Sequence, residues 1–250
     1  MKPSKDSLGD RMKTYEAVTK TRLVRRMPVI IRVDGKAFHT LTAGMERPFD
    51  LSFVNCMHAT AKALCAETQN ADFAYVQSDE ISVLVTDYHA LNTEAWFDNQ
   101  VQKIVSIAAA CATAHFGRHF AKHFPGSRAL PMFDARTFNV PADDVANYFL
   151  WRQQDAIRNS IQAVGQANFS QKELHGVNCN QIQELLFQRR GINWADFAGY
   201  LKRGAVIDRK SDVFDGYTAW GVSDAPEFGR DRAYTNKFVF PAPDDEEVAA

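Results

Sequence analysis

A chain of 250 residues, 46% hydrophobic and 24% charged, can bury one large core or two modest ones, which excludes a disordered or fibrous protein. No run of about 18 apolar residues exists, and the opening "MKPSKDSLGDRMKTYE" lacks the apolar centre of a signal peptide, so a cytoplasmic protein without a membrane partner is expected. The formal net charge of −1 argues against nucleic-acid binding by bulk charge, although basic residues gather at Arg22, Arg25 and Arg26, at Arg189 and Arg190, and at Arg209 and Lys210, while the tail "PDDEEVAA" is acidic.

An amphipathic helix is predicted near residues 9–22. The run Val29, Ile30, Ile31, Arg32, Val33 then reads as a strand covered on both faces, because a half-exposed strand would alternate apolar and polar residues. Apolar Val54, Met57, Ala61 and Leu64 predict a helix over 51–67. "DFAYVQSDEISVLVTD" reads as two strands joined at Gln77 to Glu80. A long helix over 96–122 and a strand over 136–141 complete a β-α-β-β-α-β series. From residue 141 the chain turns mainly helical: a helix to Gly165 opens on Pro141 and two acids, two shorter helices fall around 171–190, and "GAVIDRK" and "NKFVFPAP" come late. The fold class is α+β, a ferredoxin-like split βαβ arrangement with two helices on one face of an antiparallel sheet.

The first strand delivers Asp34 to the edge of the core, and the start of the third carries Asp79. In this topology the first and third strands are central, adjacent and antiparallel, so the end of one meets the start of the other and the two carboxylates converge within about one strand spacing. Converging carboxylates beside a Gly-led turn suit divalent cations held by hard oxygen ligands. Phosphates would lie on the backbone N–H groups of Gly35, Lys36, Ala37, Phe38 and His39, with Lys36 adding charge. Glu80, facing the other way in an extended chain, is either a ligand or a supporting group.

Other patterns carry less chemistry. His115, His119 and His123 stack on one helical face, but no carboxylate or Cys accompanies them at ligand spacing, so a solvated face is expected rather than zinc. Cys56, Cys65, Cys111 and Cys179 form no CxxC pair and fit reduced structural thiols. Phe149 and Trp151 are expected in the core. Asp155 and Asn159, four apart, either face the site or form a solvent stripe.

"IIRVDGKAFHTL", "YVQSDEISVLV", "MFDARTFNVP" and "YFLWRQQDAIRNSIQ", in this order, resemble the tRNA-His guanylyltransferase family, and in particular its bacterial and phage-type guanylyltransferase-like branch. The resemblance implies a polymerase palm working in the 3′ to 5′ direction. Residues 1–140 would form the palm-like catalytic domain and 141–250 a mainly helical subdomain packed on it. The activity implied is nucleotide addition to the 5′ end of tRNA, with the 5′-phosphate activated by ATP or GTP and attacked by the 3′-OH of an incoming nucleotide. By the same resemblance Asp34, Asp79 and the Gly35 carbonyl hold two Mg²⁺ ions, with Glu80 an essential acidic neighbour. Phe38 and His39 fall in the nucleotide-binding turn, Arg47 and Asp50 in the loop that meets the base or triphosphate, and Ser78 and Lys103 at phosphate-handling positions. Arg136, Asp155 and Asn159 match further active-site positions. A homotetramer is implied as well. One departure stands out: Ile157, Arg158, Asn159 and Ser160 occupy the place of a His-Ile-Asn-Asn motif in eukaryotic members, which bears on tRNA-His specificity. A palm-fold nucleotidyl or diguanylate cyclase would share the aspartate and acidic hairpin but would leave the helical second half unexplained. An RNA-binding ferredoxin-like module would instead show aromatics on its sheet.

Overall fold

The computed structural model describes residues 7–214 and 217–240, without the side chains of 210–218. The acidic tail, the Lys210 side chain and the end of "NKFVFPAP" lie outside the described residues. The helices are α1 (Ser7–Ala17), α2 (Phe38–Leu41), α3 (Leu51–Glu67), α4 (Val101–His123), α5 (Val145–Asn168), α6 (Gln171–Leu174), α7 (Cys179–Arg190), α8 (Gly199–Arg203) and α9 (Ala233–Val239). The strands are β1 (Val29–Gly35), β2 (Ala71–Gln77), β3 (Glu80–Val85), β4 (Phe133–Asn139), β5 (Ala205–Phe214) and β6 (Tyr217–Asp224).

One antiparallel sheet runs in the order β4-β1-β3-β2-β5-β6. Its first four strands have the ferredoxin-like order, with β1 and β3 adjacent and antiparallel. β1, β2 and β3 are apolar on both faces because both faces are covered. Ile31, Val33, Ile81 and Val83 pack on Met57 and Leu64 of α3 and on Ile104 and Phe116 of α4. Ile30, Phe73, Tyr75 and Leu84 pack on the opposite side with Phe149 of α5 and Val239 of α9. The α3 and α4 layer is the expected one. The second layer comes from beyond residue 141, where α5 lies across the sheet and buries Phe149 completely.

The segment after residue 141 does more than pack on the first half. β5 pairs with β2 from Phe73↔Asp208 to Val76↔Ala205, so the sheet is continuous across the division drawn at residue 140. Gly204 permits the close approach: its φ is +80°, and a Cβ there would meet the Val76 carbonyl oxygen at 2.6 Å. Tyr75 clamps the same junction by donating its hydroxyl to the Arg203 carbonyl at 2.7 Å.

The helix expected over 96–122 breaks at its start. Phe97, Asp98 and Asn99 take left-handed φ values of 50°, 52° and 55°, and α4 begins only at Val101. The start of α4 is tied down there, with Val101 N–H donating to the Thr21 carbonyl at 3.0 Å. α3, in contrast, spans the predicted residues, capped by the Asp50 carboxylate accepting from Phe53 N–H at 3.0 Å. Among the described residues no helix is long and apolar enough to cross a membrane.

Candidate active site

The register places Asp34 of β1 opposite Glu80 of β3 and Asp134 of β4. β2 and β3 are joined by only two residues, Ser78 and Asp79, with Gln77 facing Glu80 across the hairpin. Ser78 is left-handed at φ 49°, and Ala37 at the start of α2 is left-handed at φ 55°. Neither is glycine, so both turns flanking the acids hold strained backbone, a pattern that concentrates at functional sites. Gly35 N–H donates to the Asp79 carbonyl at 3.1 Å, which ties the two turns together.

Asp34 and Asp79 line one cavity of about 420 Å³ with Arg32, Trp151, Arg152 and Asp155. Burial holds the Asp79 carboxyl above the usual carboxylate range, and the nearby Asp34 charge pushes it the same way. Neither acid has an ion-pair partner among the described residues. An uncompensated pair of acids is the donor set that a hard divalent cation takes, so the residues present fit Mg²⁺. No third His, Cys, Asp or Glu completes such a group among the described residues, which leaves further positions to substrate oxygens.

Glu80 lines the same cavity as this pair but, unlike it, has an ion-pair partner. It is 6% exposed, and its two oxygens accept from Arg152 Nε and Nη2 at 2.8 and 2.7 Å. Arg152, 7% exposed, also donates to Asp155 at 3.0 Å. The Glu80–Arg152 pair ties α5 to the hairpin that carries Asp79. Asp155 bonds Arg158 as well, so its carboxylate is engaged on both sides.

A second cavity of about 280 Å³ adjoins the first through Gln77, Ser78 and Asn159, which line both. Its size is near the lower end of small-ligand sites, roughly 300–1,000 Å³. Arg47, Asp50, His58 and Tyr200 line it too. The Asp50 carboxylate fixes its own loop, accepting from Glu46 N–H at 3.2 Å besides capping α3. Burial, and then the Lys62 charge, lower the pKa of His58, which keeps its imidazole neutral at neutral pH.

The phosphate turn offers fewer free amides than the sequence predicts. The N–H groups of Gly35 and Lys36 are already used, by Asp79 O and by Met132 O at 2.8 Å, so the open first turn of α2 leaves only the amides of Ala37, Phe38 and His39. The Phe38 ring is core, packed on Phe53, Phe116 and Phe133, while Lys36 and His39 are exposed. Gly35 is required by that ring: a Cβ would meet Phe38 Cγ at 2.4 Å. Arg136 sits opposite Arg32 on β4 and pairs with Asp134 at 2.9 Å.

Lys103 is not brought to the acids. It lies at the start of α4, which is tied to Thr21 at the end of the sheet where β1 begins, whereas Asp34 is where β1 finishes. Trp151 also departs from expectation, being 53% exposed on the rim of the acidic cavity rather than in the core. His58 and Tyr200 carried no signal in sequence, since neither belongs to a motif or a periodic pattern.

The three spaced histidines lie along the outer part of α4, and burial followed by the surrounding cations lowers the pKa of His119. Replacing His115, His119 and His123 together by Gln keeps helix propensity and is expected to leave nucleotide transfer unchanged. Stoichiometric zinc in the wild type by elemental analysis would overturn this.

Residues 9–141, just over half the chain, match the sequence profile of the family described as tRNAHis guanylyltransferase. The chain belongs to that family. It is similar to the tRNA(His) guanylyltransferase of Schizosaccharomyces pombe, 31% identical over 213 residues that cover 80% of this chain and 79% of the relative. The structure of a bacterial tRNA(His) guanylyltransferase-like protein in complex with ATP superposes with a TM-score of 0.88 at 43% identity, covering 94% of this chain and 100% of that one. A bacterial guanylyltransferase-like protein in complex with GTP superposes at 0.81 and 39% identity with the same coverage.

Proposed function

We propose that this nucleotidyltransferase adds nucleotides to the 5′ end of tRNA in the 3′ to 5′ direction, choosing each by pairing with the opposite strand. The observation that carries the reading is the uncompensated pair Asp34 and Asp79, where the end of β1 meets the turn that leads into β3, beside a second cavity of about 280 Å³. ATP or GTP would activate the RNA 5′-phosphate, and the 3′-OH of the incoming nucleotide would attack it and release the activating group. Asp34, Asp79 and the Gly35 carbonyl would hold two Mg²⁺ ions, which when bound supply charge stabilisation to the attacking and leaving oxygens. The amides of Ala37, Phe38 and His39, with Lys36 and Ser78, would face phosphate. Arg47, Asp50 and Asn159 would orient the activating nucleotide in the second cavity. Asp155 and Glu80, both held by Arg152, would keep α5 in place, and Arg136 would lie along the RNA approach. The protein is read as a cytoplasmic homotetramer; α1 buries none of its residues and exposes Leu8, Met12 and Tyr15, which supports an assembly.

Templated choice follows from the departure at Ile157 to Ser160. Arg158 adds a cation that contacts phosphate without reading sequence. Given 5′-monophosphorylated tRNAs that lack their first nucleotide, labelled ATP and each triphosphate in turn, the enzyme is expected to adenylylate the end and restore whichever base completes the Watson–Crick pair, on several tRNAs. Faster guanosine addition to full-length tRNA-His than any repair would overturn templated choice. A cyclic nucleotide formed without RNA would instead mark a cyclase.

A further inference from the structure

Trp151 is half in water at the rim of the cavity that holds Asp34 and Asp79, although Phe149 and Ala156 on the same helix are buried. The indole is nevertheless fixed. The Arg152 guanidinium lies 4.5 Å from its centroid and that of Arg32 6.0 Å away, and the Tyr148 ring meets it edge-on at 6.0 Å. Arg152 is itself locked to Glu80 by two hydrogen bonds. The ring is thus a rigid aromatic surface, set before any ligand arrives.

We propose that Trp151 is the stacking platform for the base at the 5′ end of the RNA, with Arg32 taking that nucleotide's phosphate; this rests on the RNA nucleotidyltransferase reading above. Arg32 lies two residues before Asp34 on the same face of β1, lines the same cavity, and has a buried Nε without a hydrogen-bond partner among the described residues. Its nearest carboxylate oxygen, Glu80 Oε2, is 4.0 Å away, so this donor is open to an oxygen brought in by a ligand. The two cavities divide the substrates: the smaller, walled by α3, α5 and α8, suits a free nucleotide. The other is lined by Arg32 and Asp34 of β1, whose neighbour is the edge strand β4 with exposed Arg136, and by Asp155, which pairs with exposed Arg158, so the rest of a polymer can leave on that side. Stacking accepts any base, because every base has a π face, so the platform serves an enzyme whose choice is made by pairing.

The test uses tRNA carrying 2-aminopurine as its 5′-terminal nucleotide. Binding to the wild type is expected to quench its fluorescence, Trp151→Ala to lose the quench and to raise the KM for RNA about 5- to 150-fold. The KM for ATP should stay within about twofold, and Trp151→Phe should keep the quench and most of the affinity. Melting temperature, measured alongside, reports that each variant is folded. An unchanged quench and RNA KM in Trp151→Ala, or a change confined to the free nucleotide, would overturn the platform. A wild type that neither binds the RNA nor transfers a nucleotide would remove the parent reading, and the platform with it.

Discussion

Asp34→Ala and Asp79→Ala are each expected to lower nucleotide addition by more than about 100-fold while leaving the protein folded. Each removes one of the two carboxylates without a cation partner of their own, and so removes a cation ligand at the reacting centre. The stability half of this expectation follows from charge. Burial and Asp34 raise the pKa of Asp79, so the native state binds that proton more tightly than the unfolded chain, and stability falls as pH rises through the window between the two values. At neutral pH the ionised pair is a liability, and loss of either acid should leave the melting temperature unchanged or higher. Wild-type-like turnover by either variant at saturating Mg²⁺, with labelled ATP and 5′-monophosphorylated tRNA, would end the two-carboxylate reading. A collapse in melting temperature would show that the acids serve the fold.

The opposite balance is expected at Arg152. Its guanidinium spans Glu80 and Asp155, and both it and Glu80 are almost wholly buried. Arg152→Ala strands a buried carboxylate, and such a loss costs about 3–5 kcal/mol. Arg32 offers little relief, since its Nε is 4.0 Å from Glu80 Oε2, beyond hydrogen-bond length. Replacing both partners, Arg152→Met with Glu80→Gln, removes the stranded charge and should recover a large part of the stability. Urea denaturation of the two variants decides the matter: a single variant within about 1 kcal/mol of wild type would show that Glu80 does not depend on Arg152 for its burial. The double variant should remain impaired in transfer even when stable, because α5 loses its tie to the hairpin.

The local patterns carried much of this architecture. β1 and β3 were legible because burial on both faces writes an unbroken apolar run, and α3 because its period and its Asp50 cap coincide. The meeting of Asp34 with the β2–β3 turn followed from topology alone. Features set by distant partners were not legible. Nothing in "GAVIDRK" names β2 as its neighbour, and that pairing rests on Gly204 approaching Val76. Trp151 has the character of a core residue, and nothing in the sequence shows that it stands half exposed against Arg152 at the rim. The amides of Gly35 and Lys36 looked available because a sequence does not show that Asp79 and Met132 carbonyls already occupy them.

The pairing of β2 with β5 has a consequence during synthesis. Every residue of β2 is buried in the finished protein, yet one of its two hydrogen-bonding edges is satisfied only by Ala205 to Asp208. Between emergence of β4, which ends at Asn139, and of Asp208, a ribosome working at about 5–20 residues per second needs several seconds. Throughout that interval the nascent chain carries an open, apolar strand edge, which is the template on which neighbouring chains aggregate. Hazard of this kind belongs to translation rather than to the mature enzyme, and slower initiation or a chaperone waiting at the exit tunnel would relieve it without touching the active site.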